Sequence, residues 1–507
     1  MQRSESFLHG STYLGGIVDD PKVDTPTTSD TEVATPVDKS ILKKNSLGVW
    51  EISFFVIAAS APVFVINVAF TTFMIGGVGA PAGYLIGGFF LLFFAMAFTA
   101  MSKYIKNAGA FYAYISRGLG KLVGGGSAYV ALFSYSIESI GFYGAFAYFA
   151  QFTFNDLFGV DVPWQIWIFV MLAAIAILGH RSVNLGANLL LVFLTAEIVI
   201  LAILAIAVLI KEPGNISIQP FLPSNVFVPG IAAILIFGFG AFTGFESTAI
   251  YSEEARNPER TIPIATYVAV GFLALFYAFT VWIATVAFGL QGVIDFVSSD
   301  KASDLYFTMS EDFLGHWAYI TMRILILTSI IACNIGFHNA VSRYGFALGR
   351  EGLLPKYLGR SHPKFKSPYM ASGTQIAIAT IFSVLVMVLG GDPYIHLFIW
   401  TYAAGVTGLV LMQFLAALAV IGYFRSDRRG YSTFRVIVAP IIGAIGLGGS
   451  YILILTNFNL MTGDTSTISN LPFILYSGTA FVIGLIVTYR MKVRNPDGYK
   501  LLATDYH

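Results

Sequence analysis

Charge is scarce in this sequence. Asp, Glu, Lys and Arg make up 11% of its 507 residues, where soluble domains carry about 25%. A soluble fold of this size is excluded, because it would need far more charge to cover its surface. Cysteine is rarer still. Cys333 is the only one, so no intrachain disulfide can form. The seven histidines, at 9, 180, 316, 338, 362, 396 and 507, include no pair at metal-ligand spacing, and no metal site is expected. No His/Asp cluster or nucleophile motif supports an enzyme. No filter-like pattern supports a channel. No cofactor and no nucleic-acid partner are expected, and no secretory signal is read at the N terminus.

What the sequence has instead is apolar length. It is 56% hydrophobic, with a mean hydropathy of +0.74. Glycine (50) and phenylalanine (45) are abundant, as membrane bundles tolerate. A bilayer crossing needs about 20 apolar residues, and about twelve runs qualify. They lie at 50–76, 80–102, 124–152, 163–180, 187–210, 229–250, 263–289, 317–342, 371–390, 394–424, 434–457 and 471–490. The runs are continuous rather than alternating, which excludes an outer-membrane barrel. Several exceed the length of one straight span, so tilts or breaks are expected. Residues 1–45 are polar and rich in Ser, Thr and Asp, and read as a disordered cytoplasmic tail.

The basic residues orient the chain. All but three of the 29 lysines and arginines fall in alternate connections, in the termini or at Arg435. The exceptions are Lys211, Lys301 and Arg323. The rich side is the cytoplasmic one by the positive-inside tendency. Both termini then face the cytoplasm, which an even number of spans requires. The expectation is a multi-pass protein of the cytoplasmic membrane with lipid as its surroundings. Arg323, near the outer end of the eighth run, is expected to snorkel.

Two runs are interrupted. Span one contains Ala58-Ala59-Ser60-Ala61-Pro62, where the proline removes an N–H and clashes with the preceding turn. Span six contains Phe237-Gly238-Phe239-Gly240-Ala241-Phe242-Thr243-Gly244-Phe245-Glu246. Each glycine there weakens a helix by about 1 kcal/mol against alanine. Unpaired backbone in lipid survives only where it is buried or lines a watery cavity. Paired interruptions five spans apart point to the binding site of an inverted-repeat transporter, with ordinary small-residue packing as the alternative for either segment. Half-helix N-termini there suit a carboxylate, and freed carbonyls suit an ammonium or a cation. The substrate-binding expectation covers Ala58, Ala59, Ser60, Ala61 and Pro62 in the first break. In the second it covers Phe239, Gly240, Ala241, Phe242, Thr243 and Gly244.

Three motifs carry a resemblance. Glu253-Glu254-Ala255-Arg256-Asn257-Pro258-Glu259-Arg260-Thr261-Ile262-Pro263 follows Phe242-Thr243-Gly244-Phe245-Glu246-Ser247. Lys106-Asn107-Ala108-Gly109-Ala110-Phe111-Tyr112-Ala113-Tyr114 precedes Arg117-Gly118-Leu119-Gly120. Ala347-Leu348-Gly349-Arg350-Glu351-Gly352-Leu353-Leu354-Pro355-Lys356 follows span eight. Together they resemble the amino acid–polyamine–organocation permeases from about span one to span ten. The resemblance implies an all-α integral membrane fold of the LeuT type. It has a five-plus-five inverted repeat (residues 46–425) and two extra C-terminal helices (426–507). It places the substrate's amino and carboxyl groups at the two breaks. Family members commonly carry Gly-x-Gly in helix one, where this chain has Ala59-Ser60-Ala61, so the carboxylate site is altered. Phe242 falls at an aromatic gate, and Glu246 at an acid implicated in gating.

Charges inside spans are costly, roughly 2.5–3.5 kcal/mol on insertion scales, and mark function. Glu197 in span five lies where proton-coupled relatives place a lysine, beside a sodium position of sodium-driven relatives. It is the coupling candidate, for a proton or for sodium, with a neutral structural carboxyl as the alternative. Glu138 in span three either recognises a cationic substrate or pairs within the bundle. The expected function is alternating-access transport of an amino acid or related amine, by cation symport or exchange. The alternatives are a polyamine or organocation transporter, and a non-transporting nutrient sensor of the same fold.

Overall fold

The computed structural model describes residues 47–60, 65–105, 111–180, 184–245, 248, 255–363, 367–463 and 466–503. At residues 55, 58, 59, 179–180, 184–191 and 467–469 it describes backbone alone. The expected tail at 1–45 and the site candidates Ala61, Pro62 and Glu246 lie outside the described residues.

The fold is all-helical. No strand occurs among the described residues, where Leu47 and Ala255 form an isolated parallel bridge. The first apolar run is divided into α1 (Val49–Ala59) and α2 (Val65–Gly76). Then come α3 (Ala80–Ser102), α4 (Phe111–Leu119), α5 (Lys121–Phe158), α6 (Trp164–His180) and α7 (Asn184–Lys211). The second interrupted run supplies α8 (Ile231–Gly240), and α9 (Pro258–Phe288) follows. Two short helices, α10 (Leu290–Val297) and α11 (Leu305–Leu314), bridge to α12 (His316–Glu351). The chain continues through α13 (Tyr369–Val388), α14 (Trp400–Phe424), α15 (Ala439–Thr456), α16 (Thr467–Arg494) and α17 (Pro496–Leu501).

Among the described residues, eight helical stretches are long and apolar enough to cross a membrane. They match eight of the twelve expected runs. Of the other four, 50–76 holds the break between α1 and α2, and 124–152 lies within the 38-residue α5, rich in Tyr, Ser and Gly. The remaining two correspond to α6 and α8, whose apolar stretches are shorter.

Small residues decide which helices meet. Gly83 and Gly87 lie four apart on one face of α3, and α8 packs against them. A Cβ on Gly238 would stand 2.5 Å from the Gly83 carbonyl oxygen, and one on Gly83 would stand 2.4 Å from that of Ile234. Without an apolar drive between helices in lipid, such backbone approach carries the association. Gly238→Ala is therefore expected to lose about 1–3 kcal/mol by overpacking against backbone that cannot retreat. Gly271→Ala in α9, where a Cβ meets nothing within 4 Å, should be neutral or stabilising. Denaturant unfolding of both variants in detergent checks this, and equal losses would contradict it.

α15 packs on α3 and α14, and α16 on α5. Arg323 departs from expectation. It does not snorkel. It is 5% exposed and donates to Asp304 Oδ1 at 2.9 Å, because Asp304 of the connection before α11 and Asp156 at the end of α5 stand beside it.

Candidate functional site

The second break is built from its glycines. α8 stays helical through Gly238 and Gly240, then loosens into turns over 241–245. The N–H groups of Phe242, Thr243 and Phe245 donate to Phe239, Gly240 and Phe242 carbonyls at 3.0–3.1 Å, three-residue bonds that tighten a helix end. Gly244 has φ +106°, open to glycine and strained for other residues. In the first break the last turn of α1 ends at Ala59, and the Ser60 N–H still reaches the Val56 carbonyl at 3.1 Å. Ala58 and Ala59 lie in that turn.

A cavity lies between the two breaks, with about 330 Å³ of empty space, part of it open to solvent. Ser60 at the end of α1 and Val65 and Val68 in the first turn of α2 line it on one side, and Gly240, Ala241 and Thr243 from the second break. Phe142 of α5, Tyr277 of α9, Cys333 and Phe337 of α12, and Tyr402 of α14 form the remaining walls. Among the described residues, no acid or base lines it. Its polar groups are hydroxyls, one thiol and backbone.

Four predicted residues thus meet at one cavity: Ser60, Gly240, Ala241 and Thr243. Phe239 and Phe242 are buried at 3% and 0% exposure but are not among its lining residues. The Phe242 ring stands edge-on to Tyr277, with centroids 6.3 Å apart, and packs over Gly87 and Gly88 of α3.

The two acids stand behind the walls. Glu197 is 2% exposed and accepts a hydrogen bond from Ser329 Oγ at 3.0 Å on Oε2. Tyr277 and Cys333 lie within its electrostatic reach. Glu138 is 1% exposed and packs on Gly405 of α14, where a Cβ would meet its Cγ at 2.2 Å. Cys333 and Tyr402 lie within its reach.

Sequence reasoning missed Val65, Val68, Phe142, Tyr277, Cys333, Phe337 and Tyr402. One signal was available. Ser329, Cys333 and Phe337 are spaced by four and share a face of α12, as Glu138 and Phe142 do on α5.

The chain matches the amino acid permease family over residues 47–487. It is similar to the branched-chain amino acid permease BcaP of Bacillus subtilis (strain 168), at 25% identity over 69% of this chain and 77% of that protein. The low-affinity putrescine importer PlaP of Escherichia coli (strain K12) is 23% identical over 73% of this chain and 80% of that protein. The branched-chain amino acid permease BcaP of Lactococcus lactis subsp. cremoris (strain MG1363) is 25% identical over 82% and 87%. With the family matched from α1 into α16, this multi-pass membrane protein is a transporter and not an enzyme, and it belongs to the amino acid permease family of the amino acid–polyamine–organocation superfamily.

Proposed function

We propose that this chain moves an amino acid or related amine across the cytoplasmic membrane by alternating access, driven by cation symport or by exchange. The observation that carries the reading is the cavity between the two helix breaks. Freed carbonyls at the end of α1 suit the substrate's ammonium, and N–H groups at the start of α2 suit its carboxylate. Neither partner needs a buried protein charge. Twelve crossings in a five-plus-five repeat with two accessory helices, and both termini in the cytoplasm, complete the proposal. Breaks five spans apart and the distribution of basic residues support it. Opening to each side in turn would come from rocking of the broken helices against the others.

The test uses purified protein in liposomes. Counterflow of a labelled amino acid or amine is expected, and accumulation when a proton or sodium gradient is imposed. Absence of flux for every amino acid, amine and polyamine would overturn the proposal. Binding without counterflow would favour a sensor.

A second reading, an organocation substrate, has its own observation. Four rings (Phe142, Tyr277, Phe337 and Tyr402) wall the cavity, and aromatic faces attract cations. Glu138 lies within electrostatic reach of Tyr402. Loss of putrescine flux with leucine flux retained in Glu138→Gln would favour this reading.

A further inference from the structure

The groups around the cavity converge on one side chain that neither break contains. Tyr277 of α9 is fully buried and lines the cavity. Its hydroxyl donates to the Ser60 carbonyl oxygen at 2.7 Å. That carbonyl belongs to the residue that follows the last residue of α1, and carbonyls at a helix end need donors from outside the helix's own ladder. Left bare in a dry interior, it would be costly. The ring of Tyr277 is held on two sides, edge-on to Tyr84 of α3 at 5.8 Å and edge-on to Phe242 of the second break at 6.3 Å. One residue on an unbroken helix therefore touches both breaks, the first through its hydroxyl and the second through its ring.

We infer that Tyr277 is a positioning residue for transport: its hydroxyl aims the Ser60 carbonyl into the cavity as an acceptor for the substrate's ammonium group. A carbonyl oxygen has two lone pairs, so the bond from Tyr277 leaves one for the substrate. The phenol has a single proton to donate, and the Ser60 bond uses it, so the substrate's ammonium meets an acceptor already held in place. The inference rests on the transport reading.

The experiment compares Tyr277→Phe with Tyr306→Phe. Tyr306 is equally buried and makes the same kind of bond, to the Thr280 carbonyl at 3.1 Å, but does not line the cavity. Both variants lose one tyrosine-to-backbone bond, so similar losses of thermal stability are expected. In counterflow, Tyr277→Phe should raise KM roughly tenfold, the scale of one hydrogen bond, with Vmax nearly unchanged. Tyr306→Phe should leave KM alone. An unchanged KM in Tyr277→Phe, or equal shifts in both variants, would overturn the inference. A second readout does not need transport. Cys333, the only cysteine, is a cavity wall, and N-ethylmaleimide adds one detectable mass to it. Alkylation of unloaded Tyr277→Phe should be several-fold faster than that of wild type and Tyr306→Phe, because the Ser60 wall is loosened. Equal rates would overturn the role of Tyr277. Absence of flux in wild type would remove the transport reading alone, and the alkylation comparison would still decide the role.

Discussion

Glu197→Gln is expected to abolish uphill accumulation driven by a pH gradient while leaving exchange intact. The substitution keeps the side chain's length and shape. The glutamine oxygen can still accept from Ser329 Oγ, which now donates to Glu197 Oε2 at 3.0 Å. What the variant loses is the ability to gain and lose a proton. At 2% exposure, the carboxyl is shielded from water, so its charge state acts strongly on its neighbours. Those neighbours include Tyr277 and Cys333, both walls of the cavity. Exchange needs only loading and reorientation, which an uncharged residue permits. Accumulation against a gradient needs a second, coupled species. The measurement is labelled uptake in liposomes at two internal pH values, beside counterflow on the same sample. Unchanged pH dependence in Glu197→Gln would remove the residue from proton coupling. A sodium requirement lost in the variant would assign it to sodium instead.

How much of this was legible in the sequence varies by residue. The first break was announced locally, because Pro62 punctuates a run of small residues, and α1 stops at Ala59. The second was announced less sharply. Three glycines weakened the segment 237–246 without locating the break, and the helix persists through Gly240. Gly238 lies against Gly83, and that pairing crosses more than a hundred residues of sequence, so the contact left no local trace. Cavity walls were illegible for the same reason. A tyrosine in an apolar run signals that its hydroxyl needs a partner, but the Ser60 carbonyl could be identified only once α9 and α1 were placed together. Glu197 and Glu138 were found because charge in an apolar run is conspicuous. Their position behind the walls depends on which helix face turns inward, and uniformly apolar runs carry almost no face information.

Arg323 repeats that lesson and supports the largest stability prediction. Its side chain is 6% exposed, while those of its partners Asp304 and Asp156, at 2.9 and 3.8 Å, are 36% and 42% exposed. Its faces are covered by Phe307 at 4.0 Å and Tyr319 at 5.1 Å. Tyr319 also donates to Asp156. The cluster joins α5, α12 and the connection carrying α10 and α11. Burial is asymmetric, so deletion should be asymmetric too. Asp156→Asn with Asp304→Asn strands the buried cation, and should destabilise by about 3 kcal/mol, the low end for stranding a buried charge, given the exposed partners. Arg323→Met removes the buried charge, fills similar volume and leaves two acids that reach water. It should change stability by no more than about 1 kcal/mol, since apolar replacement of a buried ionic group is often neutral. Denaturant unfolding in detergent ranks the two variants. If Arg323→Met were the more damaging, the ion pairs and not the desolvated guanidinium would dominate the balance at this end of the bundle.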